Sequence, residues 1–153
     1  MSNKYAKFFP NHDEFNLENF PYYWISQIYA LYVAKMDNSL KKYGLDNSRR
    51  RILLAANLHP NASVSDLSEM TLIKISTTTK ILSRLKEELL VETMLCAEDN
   101  RVTRVILTEK GEEMVTKINE MTALLLNDTF DGLKPSDVDR LNEALRKIKS
   151  NLE

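Results

Sequence analysis

Three glycines in 153 residues, Gly44, Gly111 and Gly132, constrain this chain more than any other feature. With four prolines they supply too few turn residues for a sandwich or a barrel, so the fold must be built mainly from helices. They also lie too far apart to form a glycine-rich phosphate loop of either common kind. One cysteine, Cys96, and two histidines, His12 and His59, exclude a disulfide framework and a Cys/His zinc site. His12-Asp13-Glu14 reads as an exposed run that coordinates nothing. No Gly-x-Ser-x-Gly elbow and no suggestive nucleophile–base pair is present, so neither an enzyme nor a cofactor is expected.

Hydrophobic residues make up 43% and charged residues 28%, enough apolar material for a packed core, so disorder is not expected. The formal charge of −1, from 21 basic and 22 acidic residues, excludes a globally basic nucleic-acid binder but not a local basic face. No run of 18 apolar residues could span a bilayer, and residues 1–10 lack the apolar core of a signal peptide. The expectation is a protein of the reducing cytoplasm with no membrane partner.

The aromatics are segregated. Eleven of twelve lie in residues 1–43, the other is Phe130, and the stretch between must build its core from Leu, Ile, Val, Met and Ala. A stacking platform for single strands is thereby excluded from the middle of the chain. Over residues 20–43, Ile25, Ile28, Tyr32, Met36 and Leu40 recur at helical spacing, and Gly44 suits the left-handed position that ends a helix. Ser48 is the expected cap of a second helix reaching residue 58, where His59-Pro60-Asn61 breaks it. Ser63-Val-Ser-Asp66 has the spacing of a capping box for a short third helix to residue 70. A fourth, over residues 75–88, turns Ile81, Leu82 and Leu85 inward.

After Leu90 the period falls to two. Val91, Thr93 and Leu95, then Val102, Arg104 and Ile106 with Thr103, Val105 and Leu107 opposite, predict two strands around a polar tip, Glu98-Asp99-Asn100-Arg101. Thr108 can cap a long helix to residue 126, and a last helix opens at Ser136 beyond Pro135. Leu141, Leu145, Ile148 and Leu152 space that helix as a coiled-coil seam. The expected fold is mainly α with a small β-hairpin wing. Residues 1–44 would form an N-terminal arm and dimerisation helix, 45–108 a winged helix-turn-helix, and 109–153 the C-terminal dimerisation helices.

Charge follows the same plan. Residues 71–86 carry Lys74, Lys80, Arg84 and Lys86 and no acid, whereas residues 87–99 carry five acids and no base. The basic stretch opens on Ser76-Thr77-Thr78-Thr79, poor helix formers that stability alone would not select. Such a cluster commonly caps and solvates a first turn; on the second helix of a helix-turn-helix, short hydroxyls can also meet phosphates or base edges in the major groove.

Val64-Ser-Asp-Leu-Ser-Glu-Met70 with Ser76-Thr-Thr-Thr-Lys-Ile-Leu-Ser-Arg-Leu85 resembles the helix-turn-helix of the multiple-antibiotic-resistance regulator (MarR) family. Glu88-Leu-Leu-Val-Glu-Thr93 resembles its strand entry, Asp99-Asn-Arg101 its wing tip, and Leu107-Thr-Glu-Lys-Gly111 the opening of its long dimer helix. The stretch from Leu45 to Leu53 is similar to what precedes its second helix, and the resemblance covers about residues 20–150. It implies a homodimeric repressor whose chain ends build the dimer and whose two lobes read a palindrome in duplex DNA. It further implies that Ser76, Thr77, Thr79, Lys80 and Arg84 are recognition-helix contacts, and that Asp99 orients Arg101 for the minor groove. Lys74-Ile75 stands where the family often has Asp-Pro; Lys74 adds a phosphate-seeking charge, and Arg104 is a further candidate phosphate contact.

Many members release DNA when a small aromatic acid or phenol binds between dimer helices and winged lobe. Phe20, Tyr22, Tyr23, Trp24, Tyr29 and Tyr32 crowd the first helix, as dimer core or as the walls of a pocket. Arg49-Arg50-Arg51 opens the second helix, and an arginine facing a hydrophobic cleft favours a carboxylate. Candidate ligand residues are therefore Tyr22, Tyr23, Trp24, Arg49 and Arg50; the competing reading of Arg50 is a salt bridge to Asp46 or to a partner chain. This aromatic opening and arginine cluster is similar to hydroxycinnamate-type repressors of the family. Cys96 has no cationic neighbour in sequence to lower its pKa, which argues against redox sensing. The alternative function is a winged-helix dimer that binds proteins without ligand control.

Overall fold

The computed structural model describes residues 4–153; residues 1–3, the start of the expected N-terminal arm, lie outside the described residues. Among these, six α-helices and three short strands follow in order: α1 (Pro21–Leu40), α2 (Asn47–Leu58), β1 (Ala62–Ser63), α3 (Val64–Thr71), α4 (Ile75–Glu87), β2 (Val91–Leu95), β3 (Thr103–Leu107), α5 (Glu109–Thr129) and α6 (Pro135–Leu152). Pro21, with its fixed φ and no N–H to satisfy, opens α1. A 3-10 turn over Lys41–Tyr43 and Gly44, at φ 68°, close it.

α2 begins earlier than its sequence suggests. Asp46, not Ser48, is the cap: its carboxylate accepts the Arg49 N–H at 2.8 Å, and Asp37 takes the Asn47 N–H at 2.6 Å. Burying Leu45 just before the cap brings the chain into helix sooner. α3 has the capping box its sequence predicts, with Ser63 Oγ accepting the Asp66 N–H at 3.0 Å and Asp66 accepting the Ser63 N–H at 2.8 Å. α4 presents Thr78, Leu82 and Leu85 to the interior at positions i, i+4 and i+7, while Ile81 is half-buried. Around them lie Ile52, Leu53, Leu67, Val91 and Val105, and no aromatic side chain among the described residues is buried.

The sheet has the order β1-β3-β2. In the hairpin Val91 pairs with Leu107, Thr93 with Val105 and Leu95 with Thr103, so one face turns Val91 and Val105 into the core. β1, at two residues too short to show a period, pairs Ala62 with Val105 and has no signature in the sequence. Thr108-Glu-Lys-Gly111 clamps the turn that leaves α4. Thr108 Oγ1 donates to the Leu89 carbonyl at 2.6 Å and accepts the Gly111 N–H at 3.0 Å, and Lys110 Nζ donates to the Glu88 carbonyl at 2.8 Å. A Cβ on Gly111 would collide with the Leu90 carbonyl, so the close approach requires glycine.

α5 runs a turn beyond residue 126, because no breaker precedes Gly132 at φ 80°. Pro135 starts α6 as its first helical residue instead of preceding it, with Lys134 as N-cap and the Asp137 carboxylate accepting the Lys134 N–H at 3.1 Å.

The chain divides into two compact units, one reaching Val115 and one over Thr116–Glu153. In the first, α1 buries only Met36 and Leu40, leaving Ile25, Ile28, Tyr29 and Leu31 exposed, so the stripe expected on this helix is covered only at its C-terminal end. In the second, α6 buries nothing, and Leu141, Leu145 and Leu152 are exposed. No helix among the described residues is long and apolar enough to cross a membrane.

Candidate nucleic-acid interface

The buried face of α4 determines what its other face can offer. At 100° per residue, Ser76, Lys80 and Ser83 lie opposite Thr78, Leu82 and Leu85, with Thr77 and Arg84 along one edge and Thr79 along the other. All six are exposed. The hydroxyl run is thus divided in role. Thr78 is wholly buried and donates back to the Ile73 and Lys74 carbonyls, whereas its neighbours face solvent. Thr79 returns its hydroxyl to the Ile75 carbonyl at 2.9 Å. Ser83, at the centre of the exposed face, escaped the sequence reading because it lies outside the Ser/Thr run; the helical spacing from Ser76 and Lys80 would have found it.

Lys74 precedes α4 without any side-chain cap; the Thr77 and Thr78 N–H groups donate to its carbonyl at 2.9 Å, and those of Ile75 and Ser76 stay available to an oxyanion at the positive end of the helix dipole. Among the described residues, Lys74, Lys80, Arg84 and Arg101 enter no ion pair. The face is basic, uncompensated and shallow, which suits the phosphates and base edges of a major groove.

In the wing the acid works through the backbone. Asp99 Oδ1 accepts the Arg101 N–H at 3.0 Å and the Asp99 carbonyl accepts the Val102 N–H at 2.9 Å, closing the turn and leaving the Arg101 side chain exposed. Arg104 is tethered behind the wing. Its Nη1 donates to the Asn61 carbonyl at 3.2 Å and lies 4.0 Å from Asp66 Oδ2. The N–H and hydroxyl of Ser63, followed by the Arg104 charge, hold the Asp66 carboxyl below its ordinary value. The fold also gives Cys96 the cationic neighbour that its sequence surroundings lack: the N–H groups of Asp99 and Glu98, then Arg104, lower the thiol.

The candidate ligand residues are not brought together. Arg49 is engaged by Asp46 and Glu88. Arg50 is 9% exposed, with Nη1 donating to Asn47 Oδ1 at 3.2 Å, its guanidinium 5.9 Å from the Tyr32 ring centre, and Nε without a partner. Since Arg49 occupies Asp46, Arg50 is a buried cation with no carboxylate of its own chain among the described residues. Tyr22, Tyr23 and Trp24 lie eight to ten residues before Tyr32, ~12–15 Å along the helix, in a separate cluster. There Tyr23 packs edge-on to Trp24, Phe20 tilts against Tyr22, and the indole N–H is spent on the Glu18 carbonyl at 2.7 Å.

No family model matches the chain. The transcriptional repressor IacR of Pseudomonas putida, a helix-turn-helix protein, is 40% identical over 144 residues, covering 94% of this chain and 86% of that protein. A MarR family regulator from Silicibacter pomeroyi superposes with a TM-score of 0.81 at 20% identity, covering 90% of this chain and 92% of that one. Bordetella bronchiseptica BpsR, whose DNA binding is regulated by 6-hydroxynicotinic acid, superposes with a TM-score of 0.79 at 22% identity, covering 88% and 96%.

Proposed function

Since the chain belongs to the MarR family of winged-helix transcriptional regulators, DNA-binding proteins and not enzymes, we propose that it is a homodimeric repressor that reads a palindromic operator and is released by a small aromatic carboxylate. The lobe of residues 45–108 binds DNA, and residues 1–44 and 109–153 supply the dimer surface. α4 enters the major groove with Ser76, Thr77, Thr79, Lys80 and Arg84, Lys74 meets a phosphate, and Arg101 reaches the minor groove from a turn that Asp99 closes. Arg104 supports that wing from behind. The apolar faces of α1 and α6 are buried by a second copy, since a contiguous exposed stripe of this size is not left in water. Tyr22, Tyr23 and Trp24 belong to this dimer surface.

The observation that carries the ligand is Arg50. Burying a guanidinium without a counter-charge costs several kcal/mol, of which packing near the Tyr32 ring offsets ~2 kcal/mol. A bidentate carboxylate would supply the missing acceptor, and an aromatic body would extend onto Tyr32. The regulation of BpsR by an aromatic acid supports the same chemistry. An acid that binds the released form more tightly than the DNA-bound form shifts the two lobes away from the ~34–36 Å spacing of successive major grooves.

The test is a thermal-shift screen with aromatic acids, including 6-hydroxynicotinate and hydroxycinnamates, and their thioesters, followed by release assays on duplex selected from a random pool. Arg50→Ala should keep DNA binding and lose release. If that variant is released at the wild-type acid concentration, the arginine is structural. Salt dependence tests the DNA reading itself: a flat affinity-versus-salt plot would favour a protein-binding module.

A further inference from the structure

Three consecutive arginines open α2, at the helix end whose dipole disfavours cations. Their side chains fan out to three different elements. Arg50 turns toward Tyr32 on α1, and Arg51 donates to the carbonyl of Thr71, the last residue of α3. Arg49 spans two carboxylates, with Nε 3.1 Å from Asp46 Oδ2 and Nη1 3.4 Å from Glu88 Oε1. Glu88 is the residue on which α4 ends. Its N–H donates to the Arg84 carbonyl at 2.9 Å, and its own carbonyl is held by Lys110.

Among the described residues, no other ion pair joins α2 to α4. The apolar contacts of Thr78, Leu82 and Leu85 define which face of α4 is buried, but non-directional packing tolerates small slides along the axis. The charged clasp at the far end does not, because it fixes a donor against an acceptor. Arg84 lies one turn before Glu88 and Lys80 one turn before that, so both basic contacts ride on the clasped segment. The Arg49 side chain is 14% exposed and is therefore not itself presented to a duplex.

We infer that Arg49 is a positioning residue for DNA recognition: by bridging Asp46 to Glu88 it sets where the segment of α4 that carries Lys80 and Arg84 meets the DNA. The assignment rests on the reading of α4 as the DNA-contacting helix and is independent of any ligand.

The sign of one substitution isolates this role. Glu88→Ala removes a negative charge from the DNA-binding lobe, which by electrostatics alone strengthens binding to a polyanion. Loss of the clasp weakens it instead. With a duplex selected by the wild-type dimer from a random-sequence pool, Glu88→Ala and Arg49→Gln should each weaken binding ~10-fold without adding in the double variant. Glu88→Gln, which retains an oxygen acceptor for Nη1, should stay within ~3-fold of wild type. The slope of log affinity against log salt should be unchanged in all three, whereas Lys80→Ala or Arg84→Ala should each reduce it by about one. Wild-type or tighter binding by Glu88→Ala overturns the proposal, as does a slope reduced by about one in Arg49→Gln, which would make Arg49 a phosphate contact. Should Arg49→Gln fail to fold, Glu88→Ala and Glu88→Gln, altering a half-exposed side chain, carry the test alone.

Discussion

The winged lobe and the chain ends solve the burial problem in opposite ways. The lobe has no aromatic residue, yet it closes a core of Leu, Ile, Val, Ala and Thr78 around α4 and the hairpin and caps its short α3 reciprocally. The ends hold all twelve aromatic rings and the regular leucine seam of α6, and among the described residues none of those rings or leucines is buried. Large side chains bring area without guaranteeing its burial. The small lobe closes a core within one chain, and the ends leave exposed the faces that, on the function proposed above, a second copy covers. Removing the ends should therefore abolish assembly and spare the lobe.

The largest expected effect is truncation after Asp131, which deletes α6. The truncated chain should sediment as a monomer at micromolar concentration and lose specific DNA binding, while circular dichroism still reports a folded lobe. A truncated chain that remains dimeric would erase the contrast between the two regions.

Next in size is a change inside the lobe that no partner could compensate. Gly111→Ala drives a Cβ into the Leu90 carbonyl, backbone that cannot swing aside. It should cost about 3 kcal/mol, the upper end of what overpacking costs, and lower the denaturant midpoint. Leu145→Ala on α6 should leave the lobe's stability unchanged and weaken only the dimer. Equal losses of lobe stability from both would show that the ends stabilise the lobe after all.

The wing gives a smaller effect. Arg101→Ala should cost ~1–3 kcal/mol in operator affinity, the range of a base-edge contact. Asp99→Ala should cost less, and the pair should not add, because the carboxylate acts on Arg101 through its N–H and the turn. Asp99→Asn, which keeps the accepting oxygen, should bind nearly as wild type. A large loss there would mean that the charge, and not the turn, orients the arginine.

How much of this was legible in the sequence depended on how local each signal was. The capping box at Ser63 and Asp66, the Thr108–Gly111 motif and the hairpin period lie within a few residues, and each was read correctly. The α2 cap was misplaced because Asp46 and Ser48 are both good caps, and burial of Leu45 decides between them. β1 is too short to show a period. The roles of Arg49, Arg50 and Arg51 could not be divided from sequence, since their partners Glu88, Tyr32 and Thr71 lie far along the chain. For Cys96 the missing cation, Arg104, comes from the opposite strand of the hairpin, a neighbour that pairing and not adjacency supplies.

The smallest expected effect locates the lobe's acid sensitivity. Asp66 has a folded-state pKa below its unfolded value, chiefly because it accepts the Ser63 N–H and hydroxyl and less because Arg104 is near. In the window between the two values the unfolded chain binds more protons, so stability rises with pH. The contribution is fully present above the unfolded carboxylate value and is lost as pH falls through the folded one. Ser63→Ala removes the hydroxyl but keeps the backbone N–H, the larger of the two lowering contacts; it should cost ~1 kcal/mol at neutral pH and flatten the acid limb of the stability profile in part. Arg104→Gln, which removes only the last of the lowering influences, should flatten it less. Denaturant titrations between pH 2 and 7 on the three proteins give the comparison. An acid limb unchanged by Ser63→Ala would show that the Ser63 hydroxyl does not lower the Asp66 carboxyl and would leave its backbone N–H as the remaining capping-box contact.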